Sequence, residues 1–316
     1  METLKIIDVT TIEPRRKHPT IFENFDLLSS GEGLIIHNDH DPKPLYYQLL
    51  AERGNTFTWA YLEDGPKIWK VEILKFKEGH KESTIGELVK NDFRKAEVFK
   101  KYGLDFCCGG KKTVTQVCKS KGLDIVQIEK ELKELDTNAV FTSEDYDSWE
   151  IGFLADYILN AHHKYVKKAI PLVFEYTQKV SKVHGDKYPE TIRIAEKFLL
   201  VVDDLNRHMC KEEEVLFPYI KHLSEANNNE MKIEKPAFET IENPIQLMEY
   251  EHHVVGKLME EISELSYHYT PPADACNTFR LAYAKLKEFE DNLHQHIHLE
   301  NNILFPKAIE FESRLW

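Results

Sequence analysis

Basic residues are in short supply. The 316-residue chain carries 41 Lys and Arg against 54 Asp and Glu, a formal net charge of −13. Nothing gathers into the basic stripe that phosphate recognition demands, which argues against a nucleic-acid partner. Long apolar runs are missing as well. None approaches the ~18 residues needed to span a bilayer, so no membrane segment is expected. The opening Met1-Glu-Thr-Leu-Lys5 has no basic stretch leading into an apolar core, and no secretory leader is read there. Cysteines number only five, two of them adjacent, which is not the even, spaced framework of a disulfide-stapled protein. These absences together predict a reduced, cytoplasmic protein. The apolar content of 42% and charged content of 30% are those of a globular chain. Its length predicts two or three domains.

Three segments differ in pattern, and together they predict a multidomain α+β protein. Residues 1–76 alternate strand and helix signals. Strands are expected at Leu4–Val9, Gly33–His37, Thr56–Leu62 and Lys67–Leu74, with helices at Thr20–Ser29 and Pro44–Arg53. Asp64-Gly65-Pro66 reads as a tight hairpin turn. The order β-α-β-α-β-β implies a small two-layer sandwich. Residues 80–136 are punctuated by Gly103, Gly109, Gly110 and Gly122 into what read as four short helices. Thr84-Ile-Gly-Glu87 is a candidate capping box for the first, and Asp105-Phe-Cys107-Cys108-Gly-Gly110 falls between the second and third. Residues 148–316 are long and helical, with helices expected near 149–182, 188–223, 244–268 and 274–313.

The last segment contains a repeat. His208-Met-Cys-Lys-Glu212-Glu-Glu-Val-Leu-Phe-Pro218 and His296-Ile-His-Leu-Glu300-Asn-Asn-Ile-Leu-Phe-Pro306 place histidine and glutamate four residues apart, on one face of a helix. His163 precedes His208 by 45 residues and His252 precedes His296 by 44. A duplicated helical hairpin therefore offers four imidazoles and two carboxylates, a set suited to a dinuclear centre inside an up-down four-helix bundle. Imidazole plus carboxylate suits iron, and less exclusively manganese or zinc. Glu212 and Glu300 come from different helices and each has two oxygens, so both can bridge. Pro218 and Pro306 each leave a carbonyl four residues earlier without its partner, so local bends are expected.

Histidine preceding glutamate by four is the hemerythrin arrangement. With His162-His163 followed by Pro171, Met248-Glu-Tyr-Glu-His252 followed by Gly256, and the two repeats, residues 149–313 resemble the hemerythrin-like domain of the repair-of-iron-centres (ScdA/YtfE) family. Residues 80–136, with the vicinal cysteines, resemble the short N-terminal domain of that family. The resemblance implies two non-haem irons bridged by oxo or hydroxo and carboxylate groups. Its ligands would be His163, His208, His252 and His296, with Glu212 and Glu300 as bridges. It also implies damaged or apo iron–sulfur proteins as partners, nitric oxide or oxygen as small ligands, and a homodimer as an admissible state. Two mechanisms fit: donation of labile iron to a damaged cluster, or reduction of nitric oxide at the di-iron centre. The rival reading is a hemerythrin-like oxygen or nitric oxide sensor without turnover, and a zinc-stabilised scaffold is a third.

Several residues compete for these roles. His162 and His253 adjoin presumed ligands but point about 100° away around a helix, which predicts surface or supporting positions. The choice within each pair rests on motif alignment. His294 and His298 flank His296 on the wrong face, and Glu213 and Glu214 read as solvated acids. Cys107 and Cys108 read either as two partly buried thiols or as a redox or iron-transfer pair, with Lys111 and Lys112 available to lower a thiol pKa. The N-terminal segment resembles the TusA-type sulfur-carrier fold but lacks the Cys-Pro start. His18-Pro19 stands in the comparable place before the first expected helix, so sulfur transfer by that route is not expected. His37-Asn-Asp39-His40-Asp41-Pro42-Lys-Pro44 is dense in ligand-type residues that turn chemistry alone explains. An accessory interaction or ligand-sensing role is expected for this domain.

Overall fold

The computed structural model describes residues 4–54, 56–76, 82–137, 145–228 and 233–315. The chain packs as two compact units: residues 1–84 with 112–140, and residues 85–111 with 141–316. The segment 80–136 therefore contributes its first two helices to one unit and its last two to the other.

The first unit is built on a four-stranded sheet. Strands β1 (Lys5–Asp8), β2 (Gly33–Asn38), β3 (Phe57–Asp64) and β4 (Trp69–Lys75) lie in the order β1-β2-β4-β3. β1 and β2 run parallel, which requires a crossover, and α1 (Pro14–Asp26) supplies it. The β3–β4 hairpin turns at Gly65, whose φ of +85° suits glycine. On β2 the alternation buries Leu34, Ile36 and Asn38. Leu34 and Ile36 belong to an apolar core with Phe25, Leu49, Trp59, Val71 and Ile73. The remaining helices of the unit are α2 (Lys43–Arg53), α5 (Val114–Lys121) and α6 (Ile125–Thr137). A reciprocal capping box between Thr113 and Gln116 opens α5. α1 corrects the expectation: it begins six residues before Thr20, with Pro14 in its first turn, and carries Pro19 inside it. Proline at a helix start has no intrahelical N–H bond to lose, so Pro14 suits that first turn.

The second unit is helical. Short helices α3 (Ile85–Asn91) and α4 (Lys95–Lys101) precede the cysteine loop. Four long rods follow: α7 (Ile151–Tyr157) running on into α8 (Lys164–His184); α9 (Glu190–Lys211) into α10 (Phe217–Asn228); α11 (Glu242–Leu265); and α12 (Asn277–Leu299) into α13 (Phe305–Leu315). α8 packs against α9 and α12, and α11 packs against the same two. The rods match the expected spans to within a few residues, except that α10 runs five past residue 223.

Three rods are interrupted by single stretches of π-helix, at Ile158–His163, Glu212–Leu216 and Glu300–Leu304. In each, an N–H reaches back five residues: Lys164 to Leu159, Phe217 to Glu212, Phe305 to Glu300. Two of these turns stand directly before the Phe-Pro pairs of the repeat, where proline has no N–H to continue the α-helical ladder. Such turns are rare and concentrate at functional sites. Each one here contains or begins at a residue of the repeated His/Glu set.

Candidate metal centre

The six residues singled out in the sequence meet in one buried layer of the helical unit. His163 ends the first π turn, and His208 and His296 lie one turn before the second and third. Glu212 and Glu300 begin those two turns, and His252 sits in mid-α11. All six are at most 2% exposed. Their ligating atoms form two groups, His163–His296–Glu212–Glu300 and His208–His252–Glu212–Glu300, so both carboxylates belong to both groups. Nε2 of His163 and of His208 lie 3.3 and 3.2 Å from Glu212, and Nε2 of His252 and of His296 lie 3.1 and 2.9 Å from Glu300.

Three of the four rings are oriented from outside this layer. His163 Nδ1 is 2.8 Å from Glu213, which Lys167 also holds. His208 Nδ1 is 3.0 Å from Glu251, which Lys211 also holds. His252 Nδ1 is 2.9 Å from Asn301 Oδ1. Acceptors at Nδ1 place the ring proton there and leave the Nε2 lone pair facing inward, the arrangement that prepares imidazole for a metal. The phenylalanines of the two Leu-Phe-Pro motifs brace the rings: Phe217 stacks on His163 (5.4 Å, 25°) and Phe305 on His252 (6.1 Å, 4°).

This layer is unsatisfied without a cation. Both Glu212 oxygens, Glu300 Oε2 and His163 Nε2 are buried without a hydrogen-bond partner. Nε2 of His208 and His252 stand 2.9 Å apart. Two buried carboxylates among four inward lone pairs demand positive charge. Protons answer that demand in part. Burial opposes charging His163 and His208, but Glu212 and Glu300 outweigh it and push both up to about 10. Glu300 is held well below the carboxylate range, because His296, His163 and His252 outweigh its burial. For His296, burial wins and its pKa is lowered. The donor set fits transition-metal ions that accept nitrogen and oxygen.

The neighbours sort differently from expectation in one place, at Glu213. His162 takes the supporting one of its two expected positions: it is buried and stacks on His296 (5.7 Å, 14°), and burial pushes it down to about 4. Glu213 is not a solvated acid: it supports His163. Neither Glu251 nor Asn301 was found from the sequence. Glu213 and Asn301 each follow a bridging-type glutamate by one residue, and that shared offset was the available signal. His253 is exposed, and His294 and His298 face away from the layer, against Phe106.

The cysteine loop lies close by within the same unit. Asp105 Oδ1 accepts the backbone N–H groups of Cys107 (3.1 Å) and Cys108 (2.9 Å), and the two Sγ atoms are 3.9 Å apart. Cys107 is buried and Cys108 half-buried. The Cys108 thiol, burial and the Asp105 carboxylate together hold the Cys107 thiol well above its usual range. Lys111 does not counter this, since its ammonium pairs with Glu249 at 2.7 Å. A cavity of about 280 Å³ is lined by Cys107, Cys108, Tyr250, His253, Asn301 and Asn302, among others. In the first unit, His18 and His40 line one small cavity with Lys17 and Asn38, but they join no metal-type group among the described residues.

A buried layer of imidazoles around two shared carboxylates, carried on long helices, defines a protein of the hemerythrin class. The family described as hemerythrin HHE cation binding domain matches residues 154–308. Residues 81–136 match a family described as a domain of unknown function, and residues 6–75 one described as an uncharacterized conserved protein. The iron-sulfur cluster repair protein YtfE of Musicola paradisiaca is 36% identical over 234 residues, covering 74% of this chain and 99% of the relative. Those of Dickeya chrysanthemi and Yersinia pseudotuberculosis are each 34% identical over 233 residues, with the same shares. The chain belongs to this family of iron–sulfur cluster repair proteins. No described helix is long and apolar enough to cross a membrane.

Proposed function

We propose that this protein holds two irons and uses them to repair iron–sulfur clusters damaged by nitrosative or oxidative stress. His163 and His296 would ligate one iron and His208 and His252 the other, with Glu212 and Glu300 bridging. The observation that carries this reading is the sharing of both buried carboxylates by two otherwise separate imidazole pairs. On this reading the four rods are an up-down bundle of hemerythrin type, and the first unit is a two-layer α/β sandwich with an accessory or sensing role. The segments 1–76, 80–136 and 148–316 are its three evolutionary domains.

Bound iron would supply reversible one-electron chemistry and open positions for a small ligand such as nitric oxide or oxygen. The protein's own groups set the terms. Glu213, Glu251 and Asn301 fix three rings so that their Nε2 atoms converge. Phe217 and Phe305 cover the His163 and His252 rings. Two imidazoles of its own and two shared carboxylates per half-site, all from rigid rods, would leave coordination positions open at each ion. Cys107 and Cys108 would act as a redox or iron-transfer pair at the cavity next to Asn301. The raised Cys107 thiol needs an incoming metal or oxidant to displace its proton. Damaged or apo iron–sulfur proteins are the partners and the cytoplasm is the compartment. A homodimer is compatible with this assignment.

The test is repair itself. A [4Fe–4S] enzyme inactivated by nitric oxide is incubated anaerobically with iron-57-loaded or metal-free protein. The loaded form should restore activity and the metal-free form should not. Iron-57 in the rebuilt cluster marks donation, whereas recovery without it, accompanied by nitric oxide loss, marks reduction. Equal recovery with both forms would remove the reading.

A further inference from the structure

The two repeats diverge at the residue after each shared glutamate, and the divergence points at the cysteine loop. In the first repeat that residue is Glu213, which supports His163 Nδ1 and otherwise holds Lys167. In the second it is Asn301, whose Oδ1 supports His252 Nδ1 in the same way. A carboxamide, unlike a carboxylate, also has a donor to spend. Asn301 Nδ2 spends it on the backbone carbonyl of Cys107, at 3.3 Å. Asn301 is 6% exposed, and the link to His252 is buried. With its oxygen committed to His252, the amide has one orientation, and its N–H₂ must face the loop.

We propose that Asn301 is a positioning residue that locks the Cys107–Cys108 loop onto the His208/His252 half of the metal centre, leaving the His163/His296 half without such a link. The assignment of the two halves rests on the function proposed above. The asymmetry is physical. His163 ends on a Glu213–Lys167 pair, which faces solvent, and His296 Nδ1 has no hydrogen-bond partner. Only His252 is joined through one side chain to the loop that carries the thiols. Asn302 adds a second strut without touching His252: its Nδ2 reaches the Phe106 carbonyl at 3.1 Å. Its Oδ1 lies so close to Gly86 and Gly110 that a Cβ there would sit 2.4 and 2.6 Å away. The backbone therefore approaches Asn302 as only glycine permits. The loop is fixed at both positions, but it is coupled to a metal ligand at one.

The test uses full-length protein and the alkylation rate of Cys107 by iodoacetamide, resolved by peptide mass spectrometry, with iron content measured alongside. Cys107 is buried, so its alkylation reports opening of the loop, and Cys108 serves as the internal reference. Asn301→Asp restores the carboxylate chemistry of the first repeat: it can still accept from His252 but sets an oxygen against the Cys107 carbonyl. Cys107 alkylation should rise roughly tenfold in the metal-free and in the iron-loaded protein alike, as expected for a lost buried hydrogen bond. His252→Ala, which removes the donor that orients the amide, should raise the rate as well. His296→Ala, which removes an imidazole from the other half, should not. Wild-type alkylation in Asn301→Asp would overturn the proposal, as would equal rates in His252→Ala and His296→Ala. If circular dichroism shows Asn301→Asp misfolded, the two histidine variants decide alone. An iron-free wild-type protein would instead overturn the proposed function, and the alkylation contrast would still be readable.

Discussion

Glu212→Gln changes one oxygen to nitrogen at nearly constant volume and separates a shared ligand from a terminal one. Glu212 belongs to both groups, so its loss should weaken both metals together. His296→Ala removes a donor from one group alone and should cost at most one metal. The magnitude follows from linkage. Metal at a hundred times its dissociation constant stabilises the folded chain by ~2.7 kcal/mol. Two metals make that ~5.4 kcal/mol, and for a unit of this size each kcal/mol moves the midpoint by about 2–4 °C, so saturating iron should raise the wild-type midpoint by roughly 11–22 °C. Glu212→Gln should abolish that rise while leaving the metal-free midpoint near wild type. The amide keeps the packing, and the variant no longer buries a carboxylate whose two oxygens lack partners. The assay is anaerobic thermal melting with ferrous iron or chelator, paired with elemental analysis. Two irons per chain with a full shift in Glu212→Gln would refute the sharing of that carboxylate.

Metal uptake should release protons. His163 and His208 are pushed up to about 10 in the metal-free protein, so both carry at neutral pH a proton that a metal must displace. Binding in weak buffer at pH 7.5 should release roughly two protons per chain, with affinity rising as pH increases; indicator-dye titration showing no release would contradict this. In the first unit, burial and Glu82 raise Glu129 from 4.5 to about 7. The folded state binds its proton more tightly than the unfolded one, so the contribution is full below the unfolded value of 4.5 and is lost as pH rises through about 7. Glu129→Gln should flatten that slope by up to ~3 kcal/mol, read from denaturant unfolding at pH 4.5 and 8; an unchanged difference between the two pH values would count against it. Cys107→Ser with Cys108→Ser should leave iron content intact and slow repair, and undiminished repair would make the pair structural.

The ligand layer was legible because it is written locally. A histidine and glutamate four apart stay on one helix face whatever surrounds them, and duplication made the coincidence specific. The rods were legible from their long helical pattern. Pro218 and Pro306 signalled irregularity, but not that each bend would be a π turn starting at a bridging-type glutamate. The turn at Ile158–His163 has no nearby proline and left no signal. Glu213, Glu251 and Asn301 were missed because their partners lie on other rods, where helical spacing does not reach. The loop partners of Asn301 and Asn302 are nearly two hundred residues away in sequence. The first helix was expected six residues late, at Thr20, whereas it starts at Pro14, the position where proline costs nothing.

The most direct measurement is Mössbauer spectroscopy on iron-57-loaded protein in the oxidised state, at low temperature and in applied field. Bridging by Glu212 and Glu300 predicts two irons per chain with antiferromagnetically coupled spins and a diamagnetic ground state. One iron per chain, or two with independent paramagnetic spectra, would contradict a shared-carboxylate centre.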